Sequence, residues 1–159
     1  GGKYISDAQM AFLKERLLTS PCHFKCVLNS VPITNMPNVW DVAANDRWEG
    51  YPTSRNEVAD HINDNNIENV WFISGDFHVT FVSKMEESGS TLWDRTREIA
   101  ITSGNTNPLG NFLGGAQFDF GTGTPHSCLI TFDPTADSVT VKLIDESGGV
   151  AYEKALTQE

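Results

Sequence analysis

The chain is poor in positive charge. Its 11 Lys and Arg face 21 Asp and Glu, leaving a formal charge of −10, with the acids scattered rather than in a block. Nothing resembles a basic patch, which excludes nucleic acid and anionic membrane as expected partners. The same balance fits a protein that gathers divalent cations and one that is merely soluble. Long apolar runs are also missing, and none approaches the roughly 20 residues that a membrane-spanning helix needs. Cysteine is scarce: Cys22 and Cys26 lie four apart and Cys128 is remote. That is too few thiols for a structural zinc site. A Cys22–Cys26 disulfide stays open for an exported chain; ordinary thiols near the start of a strand is the simpler reading. No signal peptide is visible. The chain opens on Gly1–Gly2–Lys3 rather than on Met, as expected of a processed or trimmed product, so the missing leader says little about location.

What is present suffices for one domain, or a large piece of one, with a real core: 159 residues, 39% hydrophobic and 10% aromatic. Ser6–Asp7–Ala8–Gln9 is a capping-box pattern, and Met10, Leu13 and Leu17 follow at helical spacing, so a helix is predicted to end near Ser20–Pro21. Lys25–Ile33 reads as a strand closed by Pro32. Thr34–Tyr51 is a long polar loop holding Trp40 and Trp48, and a loop of that length in a compact domain is usually functional or disordered. Thr53 or Ser54 is placed to cap a second helix over Arg55–Asn65. Strands are predicted over 70–74, 79–85 and 98–103. The stretch from 104 to 125 shows little periodicity. A hairpin over 127–132 and 138–144 and a short last segment over 150–155 complete the chain. The order reads as α/β at the start and antiparallel β at the end, that is, α/β to α+β.

The most informative stretch is Val70-Trp-Phe-Ile-Ser-Gly-Asp-Phe-His78. An apolar run that reads as a buried strand ends in Ser-Gly, and the glycine is expected to let the chain turn sharply out of the sheet. Asp76 and His78 then follow just beyond the carboxyl end of the strand, where open α/β sheets place their ligands. Carboxylate oxygen plus imidazole nitrogen is a partial ligand set for zinc, iron or manganese. The plain alternative is that Asp76 caps a turn and His78 packs.

Three segments in order carry a resemblance. Asn29-Ser-Val-Pro32 ends the first strand, Asp46-Arg-Trp-Glu-Gly-Tyr-Pro52 follows in the loop with Arg55 three residues on, and Ser74-Gly-Asp-Phe-His78 ends the apolar strand. With Gly2, Gln9 and Leu13 in the opening helix, this resembles the PhoD-like branch of the metallophosphoesterases over roughly residues 1–85. The resemblance implies two packed sheets flanked by helices and a binuclear metal site at the carboxyl ends of the central strands. It implies divalent or trivalent ions (iron, calcium, zinc or manganese), a phosphate-ester substrate and an extracytoplasmic location. Residue by residue, Asp76 and His78 match the Gly-Asp-x-His metal ligands. Asp46, Trp48, Tyr51 and Arg55 match the signature loop near the site. Asn29 matches loosely, near where other branches place a histidine. Arg55 and Asp46 are the candidate catalytic residues; an arginine could grip a phosphate bidentately, or be a plain surface residue near a helix start. Trp48, Tyr51 and Asn29 are candidates for substrate contact or loop support.

The departure from that pattern matters as much as the match. The ligands that metallophosphoesterases take from amino-terminal strands have no counterpart before residue 20. The chain is therefore expected to be the carboxyl-terminal half of such a domain, completed by an amino-terminal half or a second copy, with the seam near Val70–Ile73. Two other readings stay open: a non-catalytic binding or structural domain derived from the fold, and an acidic carbohydrate-binding module using Trp40 and Trp93 as platforms.

Overall fold

The computed structural model describes residues 2–36, 44–85, 96–102, 110, 113–114 and 116–157. Among these residues two α-helices, α1 (Asp7–Thr19) and α2 (Pro52–Asp64), accompany eight strands. The strands are β1 (Lys25–Leu28), β2 (Val70–Ser74), β3 (Thr80–Lys84), β4 (Thr96–Ala100), β5 (Phe118–Thr122), β6 (Ser127–Asp133), β7 (Ser138–Ile144) and β8 (Val150–Leu156). One sheet has the order β1-β2-β4-β3-β5, and a second has the order β6-β7-β8. β1, β2 and β4 run parallel, whereas β3 and β5 join antiparallel. The expected mixed fold of two sheets with helices is thus present.

Side-chain alternation along β2 explains the layering. Val70 and Phe72 point to one face, where they pack with Met10, Leu17, Val58, Ala59 and Ile62 of the two helices. Trp71 points to the other face and packs with Val139, Val141, Leu143 and Leu156 of the second sheet. A strand buried on both faces must be apolar throughout, which is why Val70–Ile73 shows no polar alternation. Each such side chain contributes about 1.5–3 kcal/mol on burial. β7 alternates as its sequence predicts, with Val139, Val141 and Leu143 fully buried. Asp145 closes the β7–β8 turn by accepting from the Ser147 and Gly149 amides, both at 2.8 Å. Gly148 there takes φ +82, a left-handed conformation that a side chain would strain.

Several boundaries differ from expectation. The capping box forms: Gln9 N donates to Ser6 Oγ at 3.3 Å, and Ser6 N donates to Gln9 Oε1 at 3.0 Å. β1 ends at Leu28 rather than Ile33, because the Asn29 side chain donates to Val31 O at 2.7 Å and curls the chain, and the Ile33 and Thr34 amides turn to the Glu98 carboxylate. α2 begins at Pro52, whose fixed φ and missing N–H suit the first turn, so neither Thr53 nor Ser54 caps it. β5 was not foreseen; its Gly121 packs so close that a Cβ would meet Leu113 Cβ at 2.7 Å. The seam expected at Val70–Ile73 is corrected: β2 is paired on both sides, and β1 is the edge.

A polar latch joins the two sheets at the surface. His23 Nε2 lies 2.6 Å from Asp137 Oδ1, and Asn69 donates to the same oxygen at 3.0 Å. These bonds, that from His23 first, hold the Asp137 carboxyl below the usual aspartate range. A depressed folded-state pKa stabilises the fold above the unfolded value, and that contribution is lost as pH falls through the folded value. The stability advantage of the native chain over Asp137→Asn is therefore expected to shrink as pH falls below the ordinary aspartate value of about 4. Urea melts above and below that value check it; a constant difference would contradict it.

Candidate metal centre

β2 delivers the candidate ligands. The sheet ladder holds to its end, with Asn29 N donating to Ile73 O at 2.9 Å and Ile101 N to Ser74 O at 3.0 Å. Just beyond, Asp76 takes φ 61 and His78 takes φ 54. Gly75 is not left-handed, so the glycine's freedom is not what turns the chain; the two candidate ligands carry the strain themselves. Each such residue costs about 1 kcal/mol; Asn66, Asn69 and Asp137, away from this turn, share the conformation, which short polar side chains tolerate best. Both Asp76 and His78 are exposed, and Phe77 between them is half-buried. The Phe77 ring packs against a cluster of Met36, Val79, Phe81, Ala100 and Leu113.

The signature loop approaches this turn from the side. Arg47 is fully buried, and its guanidinium carbon lies 4.3 Å from the centroid of the Phe77 ring. Arg47 also pairs with the Glu49 carboxylate, whose Oε1 accepts from Met36 N at 3.2 Å. Trp48 is 3% exposed; its Nε1 donates to Asn29 Oδ1 at 3.3 Å, and its ring lies 4.5 Å from that of Tyr4. Tyr51 meets the same Tyr4 ring at 5.4 Å. Asp46 is exposed. Arg55 is only 2% exposed, and its Nε donates to Ile33 O at 2.6 Å, which holds the guanidinium inside the fold.

The structure thus brings Asp76 and His78 into one turn, and joins Asn29 to Trp48. It sets Arg55 behind the 31–34 segment. Arg47, Glu49 and Phe77 were not singled out from the sequence, although they link the two motifs. The other histidines are engaged elsewhere: His61 Nε2 lies 2.9 Å from Lys14 O, and buried His126 Nδ1 lies 2.8 Å from Thr124 O. Cys22, Cys26 and Cys128 are free thiols, and burial pushes that of Cys128 up to about 11. Trp40, Trp93 and the 104–107 segment lie outside the described residues.

A family model described as PhoD-like phosphatase matches residues 3–124. The chain belongs to the PhoD-like phosphatase family. The solved structure titled "Structure of PhoD" superposes with a TM-score of 0.79 at 16% sequence identity, covering 99% of this chain and 34% of that one. This chain therefore spans about a third of the length of that PhoD structure, and at such identity the likeness concerns the fold. No curated protein matches in sequence.

The donor chemistry of this PhoD-like chain fits a metal centre in part. Asp76 and His78 supply one carboxylate and one imidazole to open space. Among the described residues no group of three or more His, Cys, Asp or Glu could hold a metal ion. The loop that flanks the turn is tightly built: a Cβ on Gly50 would meet Ala44 O and Asn45 Cα, both at 2.7 Å. Gly50→Ala is expected to cost about 2 kcal/mol through overpacking against backbone, lowering the melting temperature by about 6 °C for a chain of this size. An unchanged thermal melt would show that the loop adjusts freely.

Proposed function

We propose that this chain is the carboxyl-terminal portion of a metal-dependent phosphoric-ester hydrolase, supplying Asp76 and His78 to a binuclear site completed by a segment outside it. The observation that carries the reading is the strained turn. Two exposed side chains of types that can ligate metal, both on left-handed backbone, stand at the carboxyl end of a central strand in a chain of the PhoD-like phosphatase family. When bound, the cations would supply the Lewis acidity and the acidified water that phosphoryl transfer needs. His78 would hold an ion through one ring nitrogen, and Asp76 would bind it or hold a neighbouring ligand. Asp46, exposed on the signature loop, is a polar contributor. Trp48, Tyr51 and Asn29 support that loop, and Arg55 supports the 31–34 segment unless substrate draws it out. The ions are iron, calcium, zinc or manganese, and the extracytoplasmic location follows the family.

The test is metal content. The chain rejoined to its amino-terminal segment is expected to hold two ions per molecule by elemental analysis. Asp76→Asn and His78→Ala are each expected to lose at least one while folding normally. Full metal retention in both variants would remove Asp76 and His78 from the ligand set, and absence of metal from the rejoined native chain would favour the alternative of a non-catalytic domain derived from the fold.

The companion segment belongs along β1. Among the described residues that strand is one edge of the five-stranded sheet, at its parallel end; Leu28 on it is 80% exposed, and Phe12 of α1 is 60% exposed. An unpaired edge beside exposed apolar side chains invites strand addition. Leu28→Asp is expected to weaken association with the amino-terminal segment by about tenfold or more, as loss of one buried leucine contact implies. Light scattering of the mixed segments measures it, and unchanged association would move the seam away from β1.

A further inference from the structure

We infer that Arg47 is a positioning residue for the Asp76–His78 turn, acting through Phe77. The inference rests on the proposed role of that turn as a metal-ligating element, but its geometry stands without a metal. Phe77 is the one residue between two left-handed neighbours, at φ 61 and φ 54, so fixing its ring fixes the peptide planes on either side. The ring is held by contacts of two kinds. One side meets the apolar cluster around Met36, Phe81 and Leu113. Against its face lies the Arg47 guanidinium, 4.3 Å from the centroid. A planar cation over an aromatic face is attracted by the ring quadrupole, and more strongly when water is excluded.

Arg47 is itself held rather than floppy. It is fully buried, it pairs with Glu49, and Glu49 is fixed in turn by the Met36 amide at 3.2 Å. The Arg47 amide donates to Ala44 O at 3.1 Å, and Gly50, at the end of the same loop, packs against Ala44 and Asn45 without room for a side chain. The signature loop therefore reaches the ligand turn as a rigid arm with a guanidinium tip. Lysine replaces this tip only in part, because an ammonium is still attracted to the ring but lacks the planar fork that covers the ring and pairs with Glu49 at once. Packing alone would ask for any apolar side chain here; a buried arginine paired with an acid is an expensive way to fill space, and the ring it covers belongs to the strained turn.

The test is backbone NMR on the metal-free 159-residue chain, comparing the native sequence with Arg47→Lys, Phe77→Leu and the double variant. In the native chain, Asp76 and His78 are expected to show the strong intraresidue amide-to-α-proton NOE of left-handed residues. Their order parameters are expected near the rigid level of about 0.85. In Arg47→Lys the NOEs are expected to weaken, and the order parameters of residues 76–78 to fall below about 0.6, with the β6–β7 hairpin unchanged. Phe77→Leu is expected to do the same, and the double variant to add little, since one contact is lost in all three. Unchanged order at residues 76–78 in Arg47→Lys would overturn the inference. So would a uniform loss of order across both sheets, which is what a merely structural role predicts. In the chain rejoined to its amino-terminal segment, Arg47→Lys is further expected to weaken metal affinity about 10- to 100-fold, as outer-shell substitutions do. A rigid-to-mobile change at the turn with unaltered metal affinity would instead count against the ligand assignment of Asp76 and His78 and leave the positioning contact standing.

Discussion

The 159-residue chain by itself is expected to hydrolyse a chromogenic phosphodiester negligibly, whatever divalent cation is added. The argument is one of ligand number. Two donors from one turn cannot hold two cations at a fixed separation, and the described residues offer no cluster of three. Restoring the amino-terminal segment is expected to restore turnover. In that complete protein, Asp76→Asn and His78→Ala are each expected to lower kcat/KM by about 1,000-fold, equivalent to about 4 kcal/mol of transition-state stabilisation. The two losses are expected to be far from additive, because either one empties or distorts the same centre. Stopped assays on the isolated and rejoined chains measure both statements. Turnover by the isolated chain that vanishes in Asp76→Asn would mean that the site is complete within these residues. Full activity of both variants in the rejoined protein would remove the turn from the mechanism.

The ends of the chain's elements were legible where local chemistry decides them. Ser6 and Gln9 cap α1 reciprocally, as their spacing announces, and that pairing needs no tertiary partner. The alternation of β6 and β7 fixes their register in the same way. Elements decided by tertiary contact were not legible. β1 stops five residues early because a carboxylate from β4, some 65 residues later in the sequence, captures the Ile33 amide. β5 is a strand of the form Phe-Asp-Phe-Gly-Thr, half-buried throughout, whose periodicity is diluted by the glycine that lets Leu113 approach. The central position of β2 followed from its apolar run, but its neighbours did not: nothing in Val70–Ile73 says that β1 already covers one side.

The site divides along the same line. The order strand, Gly, Asp, x, His placed both candidate ligands beyond a sheet strand, and there they stand, exposed. The residues around them escaped because burial of a charge leaves no mark in one sequence. Arg47 and Glu49 look like two more surface charges in a polar loop, yet Arg47 is fully buried and Glu49 accepts from a main-chain amide. Arg55 has the spacing of a helix-start surface residue and is inside the fold instead.

Glu98 is the largest such omission, and replacing it is expected to cost more stability than any surface change. It sits mid-strand in β4 and is completely buried. Its carboxylate accepts from Ile33 N at 3.1 Å, Thr34 N at 2.8 Å and Ser74 Oγ at 2.7 Å. It thereby ties the segment after β1 to the last residue of β2, two residues before Asp76. Thr34 is further secured by a 3.0 Å hydroxyl contact with Ser83 on β3, so one carboxylate closes a network across three strands. Glu98→Ala leaves two amides and a hydroxyl buried without their acceptor. At about 1–3 kcal/mol for each unsatisfied group, the expected loss is about 4 kcal/mol, a large part of the 5–15 kcal/mol that holds a typical domain. Its pH signature separates this role from simple space-filling. Burial, the first cause, raises the Glu98 pKa from 4.5, outweighing the hydrogen bonds that lower it. A raised folded-state pKa means that the folded chain binds the proton more tightly. The contribution is complete below the unfolded value and is lost as pH rises toward the folded one. Native stability is therefore expected to fall with rising pH above about 4.5 relative to Glu98→Gln, whose neutral amide cannot titrate. Urea melts at several pH values on the native chain and both variants decide the matter. A Glu98→Ala chain as stable as the native one, or a native-minus-Gln difference independent of pH, would show that the carboxylate is not the clamp that holds the ligand strand to its neighbours.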